Sequence, residues 1–293
     1  MTKVFLDYDQ KALDDAYDQA VYAPNRDQVL ARLAHTSELV RKRIGAPERH
    51  AYGESAIEGL DFYRARSEHA PVVVFVHGGA WRGGLAKNYG FAAEPLVRAG
   101  AHYAALDFNN VIETGGDLLP MAEQVCRGIA WVCRNAERLG IDPRRVYVCG
   151  TSSGGHLGGV AASTDWTRYG LGADPVRGYT LVSGMYDLRG PRLSKRSSYV
   201  KFTDAMEDAL SPQRHIARVN APILLVYGSL ETPEFQRQSR DFADALTRAG
   251  KACEIIRAEG YNHFEIAETL GNPYGPAGRA LLAQMKLNPG SGP

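Results

Sequence analysis

The sequence predicts an α/β protein built on one mostly parallel, doubly wound sheet with helices on both faces. Three observations carry this. Strand-like and helix-like segments alternate at a steady rhythm from residue 50 onward. Val72–Val76 is a continuous apolar run, as expected of a parallel strand covered on both sides. The residues able to do chemistry fall just beyond the carboxyl ends of strands, where ligands of such sheets bind.

Residues 9–44 read as an amphipathic, charge-rich helical stretch broken at Ala23-Pro24-Asn25. Its apolar face is Tyr17, Ala20 and Val21, then Val29, Leu33 and Val40. Asn25 is placed to cap the second helix, with Gln28 three residues on. This N-terminal extension, residues 1–48, reads equally as a lid over the site or as packing. His50–Glu54 and Gly59–Arg64 alternate in polarity and suit an antiparallel edge pair. After Val72–Val76 the pattern predicts a helix over 87–98 ended by Gly100, then a strand from His102 to Asp107. A loop carrying Gly115-Gly116 leads to a helix from Pro120, with Val125, Ile129, Val132 and Leu139 on its apolar face and Gly140 at its end.

Val146–Val148 is a short buried strand, and Gly155–Ala162 begins a helix. Tyr179–Val182 is a further strand, followed by an irregular, charged insert over 184–220 where a cap would sit. Strand Ile223–Tyr227, helix Glu234–Arg248, strand Ala252–Arg257 and a terminal helix complete one domain over 1–293, with a tail at 287–293 expected to be disordered.

Composition narrows the function classes. Lys plus Arg is 34 against 33 Asp plus Glu, so no basic footprint points to nucleic acid or an anionic membrane. The longest apolar run is too short to span a bilayer, and the first residues carry no apolar signal segment. Cys126, Cys133, Cys149 and Cys253 show no metal-ligand spacing and read as reduced core residues of a cytoplasmic protein. No metal or cofactor is expected. The partner is a small molecule, and a homodimer is compatible with the sequence.

The chemistry centres on Gly150-Thr151-Ser152-Ser153-Gly154, set between a strand and a helix. Strand, G-x-S-x-G, helix is a nucleophile elbow, in which the central serine presents its hydroxyl above the sheet. That makes Ser152 the nucleophile and leaves the Ser153 N–H as an oxyanion donor. A serine needs a base within hydrogen-bond reach. Of eight histidines, only His263, in the loop after the last strand, has the right place. Glu231, directly after strand Ile223–Tyr227, is the candidate acid that would orient the imidazole; Asp187 is its rival. His77-Gly78-Gly79-Ala80-Trp81 follows a buried strand, and its glycines let backbone N–H groups approach an oxyanion. Gly78, Gly79 and Ala80 are therefore candidate donors, with His77 bracing their loop. His156, one turn beyond the elbow, is a candidate loop support or substrate contact.

The segments HGGAW (77–81), GTSSGGHL (150–157), SLETPEFQRQS (229–239) and GYNHFEI (260–266) together resemble the kynurenine formamidase (arylformamidase) family of α/β-hydrolases, over roughly residues 70–270. The resemblance implies the α/β-hydrolase fold with a small cap insert. It also implies Ser152 as nucleophile, His263 as base and the position of Glu231 as acid, with hydrolysis of N-formylkynurenine to kynurenine and formate. The family usually carries Asp where this chain has Glu231, and the extra methylene changes the reach.

The expected activity is thus that of a serine hydrolase cleaving a small N-acyl or N-formyl arylamine through an acyl-enzyme. The alternative is a general carboxylesterase, which would use the same groups. Trp81, Arg82 and Tyr186 are the candidate substrate contacts, Arg82 for a carboxylate. A non-catalytic binding module is the reading of a different class; such modules typically lose one of the three groups, and all three positions here hold competent side chains.

Overall fold

Among residues 2–290, which the computed structural model describes, eight strands form one sheet. They are β1 (Glu48–Ala51), β2 (Gly59–Tyr63), β3 (Ala70–Val76), β4 (His102–Leu106), β5 (Ile141–Thr151), β6 (Gly178–Val182), β7 (Ile223–Gly228) and β8 (Cys253–Ala258). Their spatial order is β1-β2-β4-β3-β5-β6-β7-β8. β1 and β2 are antiparallel, as is the β2–β4 pair, and every other pairing is parallel. The fold is that of an α/β-hydrolase.

The alternation along β3 explains why its sequence is apolar throughout. Val72, Val74 and Val76 pack into one hydrophobic cluster, with Val125, Ile129 and Leu157. Val73 and Phe75 pack into the other, with Tyr103, Phe91 and Leu281. A strand with helices on both faces has no solvent side to make polar.

The N-terminal extension joins these two layers. Leu13 and Tyr17 sit in the first cluster, whereas Val29, Leu33 and Val40 of the helix Arg26–Ile44 sit in the second. The chain therefore straddles the sheet. Within its first half the buried positions are Leu13, Ala16, Tyr17, Gln19 and Ala23, and Val21 points outward at 56% exposure, contrary to the expected apolar face. Asn25 precedes the second helix as expected but makes no side-chain cap, because its amide is engaged elsewhere.

Two other expectations change. The helix expected over 87–98 is a pair of short 3-10 turns, Ala86–Asn88 and Gly90–Ala92, and an α-helix only from Ala93 to Arg98. Pro95 has no N–H and tolerates a helix only where that bond is not needed, so the α-helix starts just before it. At the other end, the Leu287 N–H bonds to the Leu282 carbonyl and its side chain packs against the core, so ordered chain runs into the segment expected to be a loose tail. Residues 291–293 of that tail lie outside the described residues. The insert after β6 consists of short turns and helices, among them Arg189–Leu193, Lys195–Ser198 and Asp204–Ala209. No helix among the described residues is long and apolar enough to cross a membrane.

Candidate active site

β5 ends at Thr151 and the helix Ser153–Ala162 begins two residues later, so Ser152 alone makes the turn. Its backbone sits at φ 56°, ψ −121°, outside the regions an L-residue prefers. Two contacts require glycine on either side. A Cβ on Gly150 would lie 2.2 Å from the Gly154 carbonyl oxygen, and one on Gly154 would lie 2.0 Å from that of Val76. The Ser152 N–H is tied to the Val182 carbonyl at 2.8 Å, which holds the turn against β6.

His263 opens the helix His263–Glu268 just beyond β8. Its Nε2 lies 2.8 Å from Ser152 Oγ and its Nδ1 2.7 Å from Glu231 Oε2. The second bond assigns the Nδ1 proton, so Nε2 is the lone-pair nitrogen and accepts from the Ser152 hydroxyl. A capping box fixes the backbone: the Asn262 side chain accepts from the Phe264 and Glu265 N–H groups, and Glu265 reaches back to the Asn262 N–H. Phe235 meets the imidazole edge-on, with ring centroids 4.9 Å apart.

Glu231 is 2% exposed, and both its oxygens are occupied. Oε1 accepts from Ser183 Oγ at 2.5 Å and from the Gly228 N–H at 2.7 Å. Oε2 accepts from His263 and, at 3.4 Å, from Gln19 Nε2. Donors on both oxygens hold this buried carboxylate in one orientation. Asp187 lies elsewhere, with Oδ1 accepting from the Arg189 N–H and from Arg214.

Backbone strain gathers around the same point. Ala80, Trp81 and Ser183, like Ser152, have positive φ, at 55°, 62° and 55° respectively. In the loop after β3, the Gly79 and Ala80 N–H groups donate to no protein acceptor among the described residues. Ser153, as the first residue of its helix, has none within the helix. His77 braces this loop: its Nδ1–H donates to the Gly78 carbonyl at 2.9 Å, and its ring stacks on Phe108 at 4.3 Å. Burial lowers its pKa and keeps it neutral.

Two expected substrate contacts are not at the surface of the site. Trp81 is 1% exposed, since the left-handed turn throws its ring into the core, where Nε1–H donates to His156 Nδ1. Tyr186 is fully buried and stacks on Phe242 at 4.4 Å. Both large rings are withdrawn from solvent, and the gain from burying them outweighs a solvent-facing position. His156 is equally interior. It accepts from Trp81 and donates from Nε2 to the Leu210 carbonyl at 2.8 Å, and burial depresses its pKa to about 4. Arg82 does reach the site.

A cavity of about 530 Å³ opens over Ser152, large enough for a small aromatic ligand. Gly78, Gly79, Ala80, Ser152 and His263 line one part of it, with Arg82 at its margin. The N-terminal extension supplies Tyr17, Gln19 and Leu33 to its wall, and the insert supplies Arg196 and Tyr199. Gln19, Ser183, Arg196 and Asn25 are site residues that the sequence did not single out. Asn25 receives a bond from Asn262 Nδ2 and donates to Glu265, so its side chain steadies the loop carrying His263. Ser183 could have been noticed, because it directly follows a strand at the same sheet edge. No group of three or more metal-ligating side chains capable of holding an ion occurs among the described residues.

This arrangement has the parts that acyl transfer requires: a hydroxyl, a base able to take its proton, a charge behind the base, and free N–H donors beside the hydroxyl. A family model described as BD-FAE matches residues 60–170, and one for the prolyl oligopeptidase family matches 126–273. The chain is 32% identical over 226 residues to kynurenine formamidase from Danio rerio, covering 75% of each protein. It is 28% identical to the isoprenylcysteine alpha-carbonyl methylesterase ICME of Arabidopsis thaliana, over 78% of this chain and 58% of that one. A putative thioesterase from Silicibacter sp. has the same fold, with a TM-score of 0.80 at 22% identity over 94% of this chain and 98% of that one.

Proposed function

The chain belongs to the kynurenine formamidase family of α/β-hydrolases, and from that premise we propose that it hydrolyses a small N-formyl or N-acyl arylamine through an acyl-enzyme. That it is a hydrolase follows from the family itself. The observation that carries the acyl-enzyme step is the unbroken chain of bonds from Ser152 Oγ to His263 and on to Glu231, and the choice of an arylamine is supported by the likeness to kynurenine formamidase.

In this reading the Ser152 oxygen attacks the acyl carbon as His263 Nε2 takes its proton. Negative charge develops on the carbonyl oxygen and is met by the N–H groups of Gly79, Ala80 and Ser153, with Gly78 alongside. His263 then returns the proton to the leaving arylamine nitrogen as the C–N bond breaks. Water, deprotonated by the same imidazole, attacks the acyl-enzyme and releases the acid, which is formate when the acyl group is formyl. Glu231 keeps the Nδ1 proton in place and stabilises the imidazolium at each transfer. An arylamine leaves more readily than an alkylamine because the ring takes up the nitrogen lone pair. Tyr17, Gln19 and Leu33 of the N-terminal extension line the cavity, which favours a covering role for that segment over packing alone.

Ester hydrolysis is the second reading, favoured by the likeness to a methylesterase, and uses the same groups. Comparing kcat/KM for N-formylkynurenine and a p-nitrophenyl ester separates the two. Formamide turnover, abolished in Ser152→Ala, supports the first reading; ester turnover with no formamide turnover replaces it with the second. The four free cysteines suit a reducing, cytoplasmic setting.

A further inference from the structure

Arg196 lies in the turn Lys195–Ser198 of the insert, is 5% exposed, and lines the cavity that contains Ser152. Its Nη1 donates to the Tyr199 hydroxyl at 2.9 Å and its Nη2 to the Tyr17 carbonyl at 3.0 Å. The guanidinium rests against the rings of Trp81 and Phe235, 5.3 and 5.9 Å from their centroids. Its Nε is buried and has no acceptor.

What is missing is a counter-ion in direct contact, since Asp18 feels the Arg196 charge without pairing with it. Every nearby acid is engaged elsewhere: Asp18 with Lys195, Glu234 with Arg237 and the Tyr17 hydroxyl, and Glu231 with His263, Ser183 and Gly228. Among the described residues none of these carboxylates forms an ion pair with Arg196. An arginine keeps its charge wherever it is placed, and a buried charge without a partner is strongly unfavourable. Arg237 shows the ordinary arrangement in this protein, with bonds to both Glu234 oxygens and a further bond to Asp241. Along the wall Arg26 and Lys195 have their own acids, Asp27 and Asp18, which leaves Arg82 and Arg196 as the cavity-lining cations without an ion pair among the described residues. Arg82 stacks over Tyr199 at 4.4 Å, which places it on the same phenol that Arg196 grips.

We propose that Arg196 is the residue that reads a carboxylate on the substrate, with Arg82 approaching from the cavity margin. This rests on the acyl-transfer reading for the other end of the substrate. The planar fork of a guanidinium suits a carboxylate, and a charge-assisted bond at a buried arginine is among the stronger recognition elements. The missing anion is then supplied by the ligand, and a neutral analogue leaves the buried cation unpaired.

The test compares two pairs of substrates on the intact protein. One pair is 4-(2-formamidophenyl)-4-oxobutanoate and its carboxamide; the other is 3-(3-acetoxyphenyl)propanoate and its carboxamide. Wild type should favour the carboxylate by about ten- to a hundred-fold in kcat/KM, chiefly through KM. Arg196→Gln should bring the ratio to within about three-fold, and Arg196→Lys should keep part of it. Equal turnover of acid and amide by wild type, or an unchanged ratio in a folded Arg196→Gln, overturns the assignment. Preference for the charged ester with inert formamides sustains Arg196 and removes the formamide reading; formamide turnover blind to charge does the reverse. Should neither pair turn over, calorimetry on Ser152→Ala decides: 4-(2-aminophenyl)-4-oxobutanoate must bind more tightly than its carboxamide.

Discussion

Ser183 Oγ donates a 2.5 Å hydrogen bond to Glu231 Oε1, the oxygen turned away from His263. The residue that follows β6 thus helps orient the carboxylate that follows β7. Together with the Gly228 N–H it fixes one oxygen, so that the other is presented to the imidazole. Replacing Ser183 by Ala removes one of the two donors to Oε1. We expect kcat to fall about ten-fold with KM little changed, since roughly 1.4 kcal/mol of orientation is lost at the proton-transfer step. Steady-state kinetics on a formamide or aryl ester would show it, and an unaltered kcat would place Ser183 outside the machinery.

Glu231 itself makes a sharper case. Glu231→Gln keeps the shape but loses the charge and can present an N–H to the Nδ1–H, so a loss on the order of a thousand- to ten-thousand-fold is expected. Glu231→Asp retains the charge yet is one methylene short. It can reach the imidazole or the Ser183 and Gly228 donors but not both, so an intermediate loss of about ten- to a hundred-fold is expected. Asp187→Asn should stay within about three-fold of wild type, because Asp187 is bonded to Arg214 and the Arg189 N–H rather than to the imidazole. A larger loss at Asp187 than at Glu231 in single-turnover measurements would reassign the acid.

Acid stability should respond to His156. Its folded pKa of about 4 lies below the usual 6.5 because burial disfavours the charged ring. The unfolded chain therefore binds more protons between these values, so its contribution is complete above pH 6.5 and is lost as pH falls toward 4. The gap corresponds to about 3 kcal/mol at most. His156→Gln can still accept from Trp81 and donate to the Leu210 carbonyl, yet it does not titrate. Its Tm difference between pH 7.5 and pH 5 should be smaller than that of wild type. Equal differences would shift the effect to His77 and His102, whose pKa values burial also lowers.

What the sequence made legible was local. Val72–Val76, the glycines around Ser152 and the placement of His263 after the last strand each state their role within about ten residues, and the sheet brings them together. What it hid depends on contacts between distant segments. Gln19 meets Glu231, Asn25 meets Asn262 and Glu265, and Arg196 meets the Tyr17 carbonyl, and no periodicity marks any of these pairs. Asn25 was chemically a fair helix cap; a stronger claim on its amide decided otherwise. Trp81 and Tyr186 misled because an aromatic near a site invites a ligand role, while the free energy of burying a large ring favours the interior.

The loop after β3 offers the most direct separation of geometry from chemistry. Gly79 has φ +127°, and a Cβ there would fall 2.1 Å from the Gly83 carbonyl oxygen, backbone that has no easy way to yield. Gly79→Ala must therefore move the loop and with it the free N–H groups of Gly79 and Ala80, leaving Ser152, His263 and Glu231 untouched. Removing one oxyanion donor typically lowers kcat by about a hundred- to a thousand-fold, and displacing two should cost at least that. The bonds that activate Ser152 remain, whereas a phosphonylated serine also places an oxygen among these donors. Labelling by a fluorophosphonate should accordingly slow in step with turnover, with the Tm lowered by only a few degrees. Wild-type turnover in a folded Gly79→Ala protein would mean that the negative charge is met by other donors than these.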